Sequence, residues 1–316
     1  MDRRDAQRRA PGHRPRAHRR PLKAIYDLAA PAHDVQEEIE LGRRADGHHL
    51  LQSVFVLIDW CDTLHLERRT DGKLSRHDVS SPLPADDLTL KAARLLQAES
   101  GTTLGVDISI VKRIPERAGM GGGSSDAATV LLALNRLWAL GWPRERLLAL
   151  GARLGADVPF FIGGQNAFVE GIGDVLTPVA LSPRWYAVVK PAASLSTAQV
   201  FASPSLVRNT DAVILSGFLA DATKLASHFG RNDLQPVAEA QCPEVARTAA
   251  WLGERFGNSR MTGSGSAVFA VAGEAVAEKA GTGDQPVATL PEHLPSGWVG
   301  RMCRSLDEHP LAGWAD

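Results

Sequence analysis

Pro115 to Thr129 reads PERAGMGGGSSDAAT and holds the densest chemistry of the chain. Gly119, Gly121, Gly122 and Gly123 let the backbone turn tightly and aim several N–H groups at one point. The apolar residues that follow, Ala128, Leu131, Leu132, Leu134, Leu137 and Trp138, fall at helical spacing. The loop therefore runs straight into a helix, with Ser124 or Ser125 placed to cap it, and the helix N-terminus adds partial positive charge. Such a loop holds an anion, and a triphosphate can sit there without a lysine in the loop. The absence of a Gly-Lys-Ser/Thr ending argues against a P-loop NTPase, and the spacing is neither a dinucleotide fingerprint nor a protein-kinase glycine loop. The competing reading is a plain glycine turn before an amphipathic helix, although three consecutive glycines are costly as mere connection.

Two further segments could complete a phosphoryl-transfer site. Asp157, in GADVPFF, offers a carboxylate to accept the proton of a hydroxyl nucleophile. Taken alone, an acid ahead of Val158 and Pro159 also reads as a capping or turn residue. Met261 to Ala267 (MTGSGSA) is a second glycine turn, with Gly263, Ser264 and Gly265 as phosphate-side candidates. Alone, it also fits a hairpin or a strand-to-helix turn.

The elements that must position these residues can be read from periodicity. Leu51 to Ile58 (LQSVFVLI) predicts a buried strand, and residues 62 to 84 predict hairpin and loop. Asp87 to Ala98 predicts a helix with Asp87 as N-cap and an end before Gly101, and Leu104 to Ile110 alternates like a half-buried strand. The glycine-loop helix is expected to run from Ser125 to Leu140, with a second helix over Arg144 to Leu154. Another strand starts at Tyr186 to Val189, and a boundary near residue 180 separates the two halves.

Composition agrees with a two-domain globular chain: 316 residues, 44% hydrophobic and 22% charged. No apolar run is long enough for a membrane span, which predicts no membrane partner and a cytoplasmic location. Cys61, Cys242 and Cys303 are dispersed and suggest neither disulfides nor a zinc site. Residues 1–20 carry eight arginines and two aspartates, so the remaining chain stands at −7 within a total of −1, which argues against nucleic acid as a partner. Residues 1–22 are expected to be a disordered extension or the product of a start codon assigned too early.

Pro115 to Thr129 resembles the second motif of the GHMP kinases. GRRADGHHLLQSVFVLIDWCDTL at 42 to 64, GGGSSDAATVLLALNRLW and GADVPFFI at 155 to 162 are similar, more narrowly, to the 4-diphosphocytidyl-2-C-methyl-D-erythritol kinases. The resemblance implies an α+β two-domain fold, with an N-terminal domain over 23–180, a C-terminal domain over 181–316 and the active site in the cleft between them. It implies ATP and Mg²⁺, with Ser125 touching the metal, and a small-molecule cytidine-diphosphate substrate; it leaves oligomeric state open. Asp157 takes the place of the family's catalytic aspartate, and Pro115 with the loop glycines and Gly263 to Gly265 contacts the nucleotide. His49 matches a histidine that hydrogen-bonds the cytosine, His48 stands where the family stacks a tyrosine, and Thr197 matches another substrate-side position. Homoserine kinase is an alternative within the superfamily.

The family's first motif, an apolar Ala-Lys-Leu-Asn-Leu-Phe-Leu strand whose lysine assists transfer, is missing. Residues 32–42 read AHDVQEEIELG instead, and Asp34, Glu37 and Gly42 locally predict a short capped helix. Read backwards from Gly42 to Ala32, complementary codons permit Ala-Lys-Leu-Asn-Leu-Phe-Leu-His-Val-Val-Gly, in frame with Arg43. A short inversion in the gene or in its assembled sequence accounts for this, against independent divergence. Made as written, the chain sets carboxylates in place of a cation, which predicts an activity loss of about 10²- to 10³-fold or more, or a catalytically dead nucleotide-binding protein.

Overall fold

In the computed structural model, which describes residues 23–44, 49–212, 230–275 and 286–315, the longest element is β2 (His49–Arg69). Its Val54 to Ile58 run is buried, as its β-branched and aromatic side chains require of a central strand. β1 (Ala24–Arg43) pairs antiparallel with it from Ala24 opposite Glu67 to Arg43 opposite His49. On the other edge of β2, β4 (Gly105–Val111) pairs with Thr63 to Arg69 and β5 (Ala167–Glu170) with Ser53 to Phe55. β3 (Leu74–Asp78) runs parallel to β4 and β6 (Val175–Pro178) antiparallel to β5, completing a six-stranded sheet.

β1 overturns the local helix expected at residues 34–42. An isolated helix shorter than about 12–15 residues is marginal, whereas an extended backbone there satisfies the amides and carbonyls along the edge of β2. Bulges at Pro31/Ala32, Val35/Glu37 and Glu40/Gly42 let the strand follow its partner. The hairpin-and-loop expectation for 62 to 84 is corrected in the same direction, since residues 62–69 continue β2 and 74–78 form β3.

α1 (Leu88–Ser100) is capped by Asp87, which accepts from the Thr89 and Leu90 N–H groups, and ends at Gly101 with φ of 65°. α2 (Gly122–Leu137) begins earlier than its sequence suggests. Its N-cap is Gly121 and no side chain caps it, so Ser124 and Ser125 lie inside the first turn instead of capping it. It stops at Leu137, short of Leu140, because Ala139 adopts a φ of 56°. α2 packs against β1, α1 and α4 (Val158–Gly163); α3 (Arg144–Gly151) precedes α4.

A four-stranded antiparallel sheet follows, in the order β10 (Val299–Arg304), β7 (Arg184–Lys190), β9 (Val268–Glu274) and β8 (Arg260–Met261). One face carries α5 (Thr197–Ala202), α6 (Gln235–Gln241) and α7 (Pro243–Phe256) over a core that includes Val189, Val200, Leu252 and Met261. An apolar layer shared by the two sheets includes Ala32, Val56, Ile58, Tyr186, Phe269 and Cys303. No helix among the described residues is long and apolar enough to cross a membrane.

After β10 the chain returns to the first sheet. The Leu306 N–H donates to the Leu57 carbonyl (2.7 Å), Asn166 Nδ2 donates to the Leu306 carbonyl (2.9 Å), and the His309 N–H donates to the Gly164 carbonyl (2.8 Å). Arg144 donates to the carbonyls of Ala312 and Ala315, and Arg136 lies 4.6 Å above the Trp314 ring.

Candidate active site

Three backbone segments meet at the glycine loop. Gly119 and Gly121 have φ of 73° and 64°, a conformation that costs other L-residues energy. A Cβ on Gly119 would lie 2.3 Å from the Thr262 carbonyl oxygen, and one on Gly263 would lie 2.9 Å from the Gly119 carbonyl oxygen. The two glycine turns thus touch backbone to backbone. Ser266 and Ala267 donate N–H bonds to the carbonyls of Arg117 (3.2 Å) and Ala118 (3.1 Å). β1 joins them through His33 N–H to the Met120 carbonyl (3.1 Å) and Val35 N–H to Thr262 Oγ1 (2.9 Å).

These turns border a cleft of about 1110 Å³ that also reaches Asp157, His49, Thr197, Glu38 and Lys112. The structure therefore brings together Pro115, Gly119, Gly121 to Ser124, Asp157, His49, Thr197 and Gly263 to Gly265. Ser125 stands apart: it lies beneath the surface, and its Oγ is fully buried with no hydrogen-bond partner among the described residues. His48 lies outside the described residues.

Asp157 occupies the residue before α4, yet its side chain makes no capping bond. It is 40% exposed and points at His33, with Oδ2 3.8 Å from His33 Nε2. His33 is buried, stacked between Phe55 and Phe161 at ring separations of 4.6 and 5.4 Å, and lies under Gly121. Further along β1, Glu38 is buried, and burial, followed by the charges of Asp157 and Glu40, pushes its pKa up to about 8. Glu40 accepts from or donates to His49 Nδ1 at 2.8 Å according to their protonation, and the His49 ring tilts over Phe201 at 4.9 Å.

The cleft's half-buried lysine was not singled out in the sequence. Lys112 follows β4 and donates to Asp62 and Asp126, the latter at 2.6 Å. Burial works against its charge, but the Asp126 and Asp62 carboxylates prevail and hold its pKa above the ordinary lysine value. Burial in turn pushes Asp126 up to about 8 against the pull of Lys112. Asp62 also accepts the Arg113 (2.6 Å) and Ile114 (2.9 Å) N–H groups, fixing the entry to the glycine loop. Its only sequence signal is a charged residue inside a buried run, which does not reveal a partner fifty residues away. On the far side, Thr197 Oγ1 and Ser264 Oγ are 2.8 Å apart, linking the start of α5 to the 263–265 turn.

Two family models match the chain, the GHMP kinases N terminal domain over residues 87–165 and the GHMP kinases C terminal over residues 213–282. The 4-diphosphocytidyl-2-C-methyl-D-erythritol kinase of Methylibium petroleiphilum is 60% identical over 296 residues, covering 93% of this chain and 99% of that protein. The chain belongs to the GHMP kinases, in this 4-diphosphocytidyl-2-C-methyl-D-erythritol kinase family. The relative of the same name from Polaromonas sp. (strain JS666) is 52% identical, over 93% of this chain and 96% of its own length. A crystal structure of 4-(cytidine 5'-diphospho)-2C-methyl-D-erythritol kinase superposes with a TM-score of 0.68 at 34% identity, covering 78% of this chain and 90% of that one. Homoserine kinase from Cytophaga hutchinsonii, at 14% identity and a TM-score of 0.62 over 91% of this chain and 96% of that one, shares the fold alone. GHMP kinases are ATP-dependent, which matches a cleft lined by two glycine turns.

Proposed function

We propose that this chain phosphorylates 4-diphosphocytidyl-2-C-methyl-D-erythritol at its 2-hydroxyl with ATP, in the cytoplasm, as a step of the methylerythritol phosphate route to isoprenoids. The observation that carries this reading is the convergence of the glycine loop, the 263–265 turn and Asp157 on one cleft. The loop N–H groups and the N-terminus of α2 favour a polyphosphate. Asp157, free of any capping bond, faces the cleft where a hydroxyl would lie. A new bond forms between the substrate oxygen and the γ-phosphorus, the bond from that phosphorus to the β,γ-bridging oxygen breaks, and Asp157 takes the hydroxyl proton. ADP leaves with the electron pair of the broken bond.

Mg²⁺ commonly binds through one or two protein groups together with nucleotide phosphates; the Ser125 Oγ expected to touch it is fully buried and outside the cleft lining, so it does not fit that role in this arrangement. Bound on the nucleotide phosphates, the ion would neutralise their charge. His49, beside Phe201, and Thr197 supply the substrate end, within a division of the chain into units 23–180 and 181–316. The test is ADP release with the cytidine-diphosphate substrate, the same sugar phosphate without cytidine, and homoserine. Turnover independent of cytidine would sink the substrate assignment. The buried Glu38, and the imidazole of His33 as the ring that faces Asp157, favour a second reading, nucleotide binding without turnover, which calorimetry with ATP would reveal.

A further inference from the structure

β1 carries three acids at buried positions, Asp34, Glu38 and Glu40, the last paired with His49. Asp34 is 1% exposed, opposite Val56 and beside the apolar layer between the sheets. Burial first, and then the Asp34 charge, hold the Tyr186 phenol above its ordinary pKa. Glu38 and Glu40 are 7% and 2% exposed on a strand next to a cleft that must receive phosphates. A carboxylate buried in this way is costly unless fully paired.

We infer that residues 32–42 are encoded by a block standing in inverted orientation, and that the opposite orientation places an apolar strand here with a lysine at position 33, beside Asp157. The genetic code makes this more than a matter of choosing convenient codons. Both glutamate codons, read on the opposite strand, encode only leucine or phenylalanine; both aspartate codons encode only isoleucine or valine; both glutamine codons encode only leucine. Reversal about codon 37 therefore gives Asp34→Leu or Phe from codon 40, Glu38→Leu from codon 36, and Glu40→Ile or Val from codon 34. All three buried acids become apolar whatever codons the gene uses. Val35, which borders the cleft but is 1% exposed within the main apolar core, becomes polar, a cost at that position. Ile39 also becomes polar, a cost at a buried position that belongs to none of the three main apolar clusters.

Position 33 is the sharpest case. It receives the complement of the Leu41 codon, and only CTT among the six leucine codons yields lysine, as AAG. The backbone there already donates to the Met120 carbonyl of the glycine loop, and the side chain already faces Asp157. His33→Lys would put an ammonium between the phosphate loop and the acid that accepts the proton.

Genomic sequencing across codons 20–50 gives the first result. CTT at codon 41, or AAG at codon 33 in the other orientation, supports the inference; any other leucine codon at 41 overturns it. The full chain is then expressed as written and with codons 32–42 reversed. The reversed chain is expected to melt about 10 °C higher, because buried acids give way to apolar side chains. It is also expected to turn over about 10²- to 10³-fold faster. A reversed chain that keeps His33 is expected to retain the thermal gain and lose the rate gain. Melting of the reversed chain at or below that of the chain as written overturns the inference. The rate arm rests on the proposed function: a thermal gain with transfer to a different alcohol supports the inversion and overturns only the substrate assignment.

Discussion

Replacing Gly119 by alanine tests whether the two glycine turns form one interlocked unit. The added Cβ would meet the Thr262 oxygen at 2.3 Å and the Gly265 nitrogen at 2.8 Å, both backbone atoms that cannot swing away. Gly257 is the control, with the same φ of 73° and nothing within 4 Å of its Cβ. Both variants carry the left-handed strain of about 1–2 kcal/mol. Gly119→Ala alone adds overpacking of about 1–3 kcal/mol, and parting the turns loosens the Ser266 and Ala267 hydrogen bonds, at about 1 kcal/mol each. The excess of about 3–5 kcal/mol corresponds to roughly 10 °C in melting temperature for a chain of this size. Differential scanning calorimetry of both variants, with ATP titrated by isothermal calorimetry, reads the two effects. Gly119→Ala is expected to melt about 10 °C below Gly257→Ala and to lose at least about tenfold in ATP affinity. Melting of the two within about 2 °C of each other would refute the interlock.

Asp157→Asn, made in the chain with residues 32–42 reversed, is expected to lower kcat about 10²- to 10⁴-fold while leaving ATP binding and melting unchanged, since the side chain makes no capping bond. A fall in melting temperature as large as that of a lost cap would point to a structural role. Lys112→Met strands Asp62 and Asp126, and should cost about 3–5 kcal/mol in urea unfolding; a neutral result would show that the ion cluster contributes nothing net. Glu38 is held at about 8 against an ordinary 4.5. Its protonated form suits the fold, so its contribution to stability is whole below about pH 4.5 and is lost as pH rises through about 8. Glu38→Gln should flatten that fall in urea midpoint, and an unchanged slope would assign the pH dependence elsewhere.

Where chemistry and local periodicity coincide, the sequence was informative. The Asp87 cap, the Gly101 stop and the glycine loop need only neighbours to be understood, and each appears close to its expected place. Elements whose form depends on distant partners were misread. Residues 34–42 carry helix signals, yet β2 supplies a ladder that the isolated segment lacks. Ser124 and Ser125 look like caps until glycines 122 and 123 take up the first helical turn themselves. The Asp62–Lys112–Asp126 cluster joins three separate elements, and nothing in spacing along the chain announces it.

The return of residues 305–315 to the first sheet has a consequence for biosynthesis. The carbonyls that Arg144 holds, and the Leu306 strap across Leu57 and Asn166, belong to a stretch of chain made only after the whole second sheet. A ribosome that has already delivered β1 to β6 has delivered a sheet whose covering strap is still missing, with Leu311 and Trp314 not yet present to lie against it. The first sheet can reach its final protection only after the second has been synthesised, so the two units are bound into one folding event by a few residues that act as a latch.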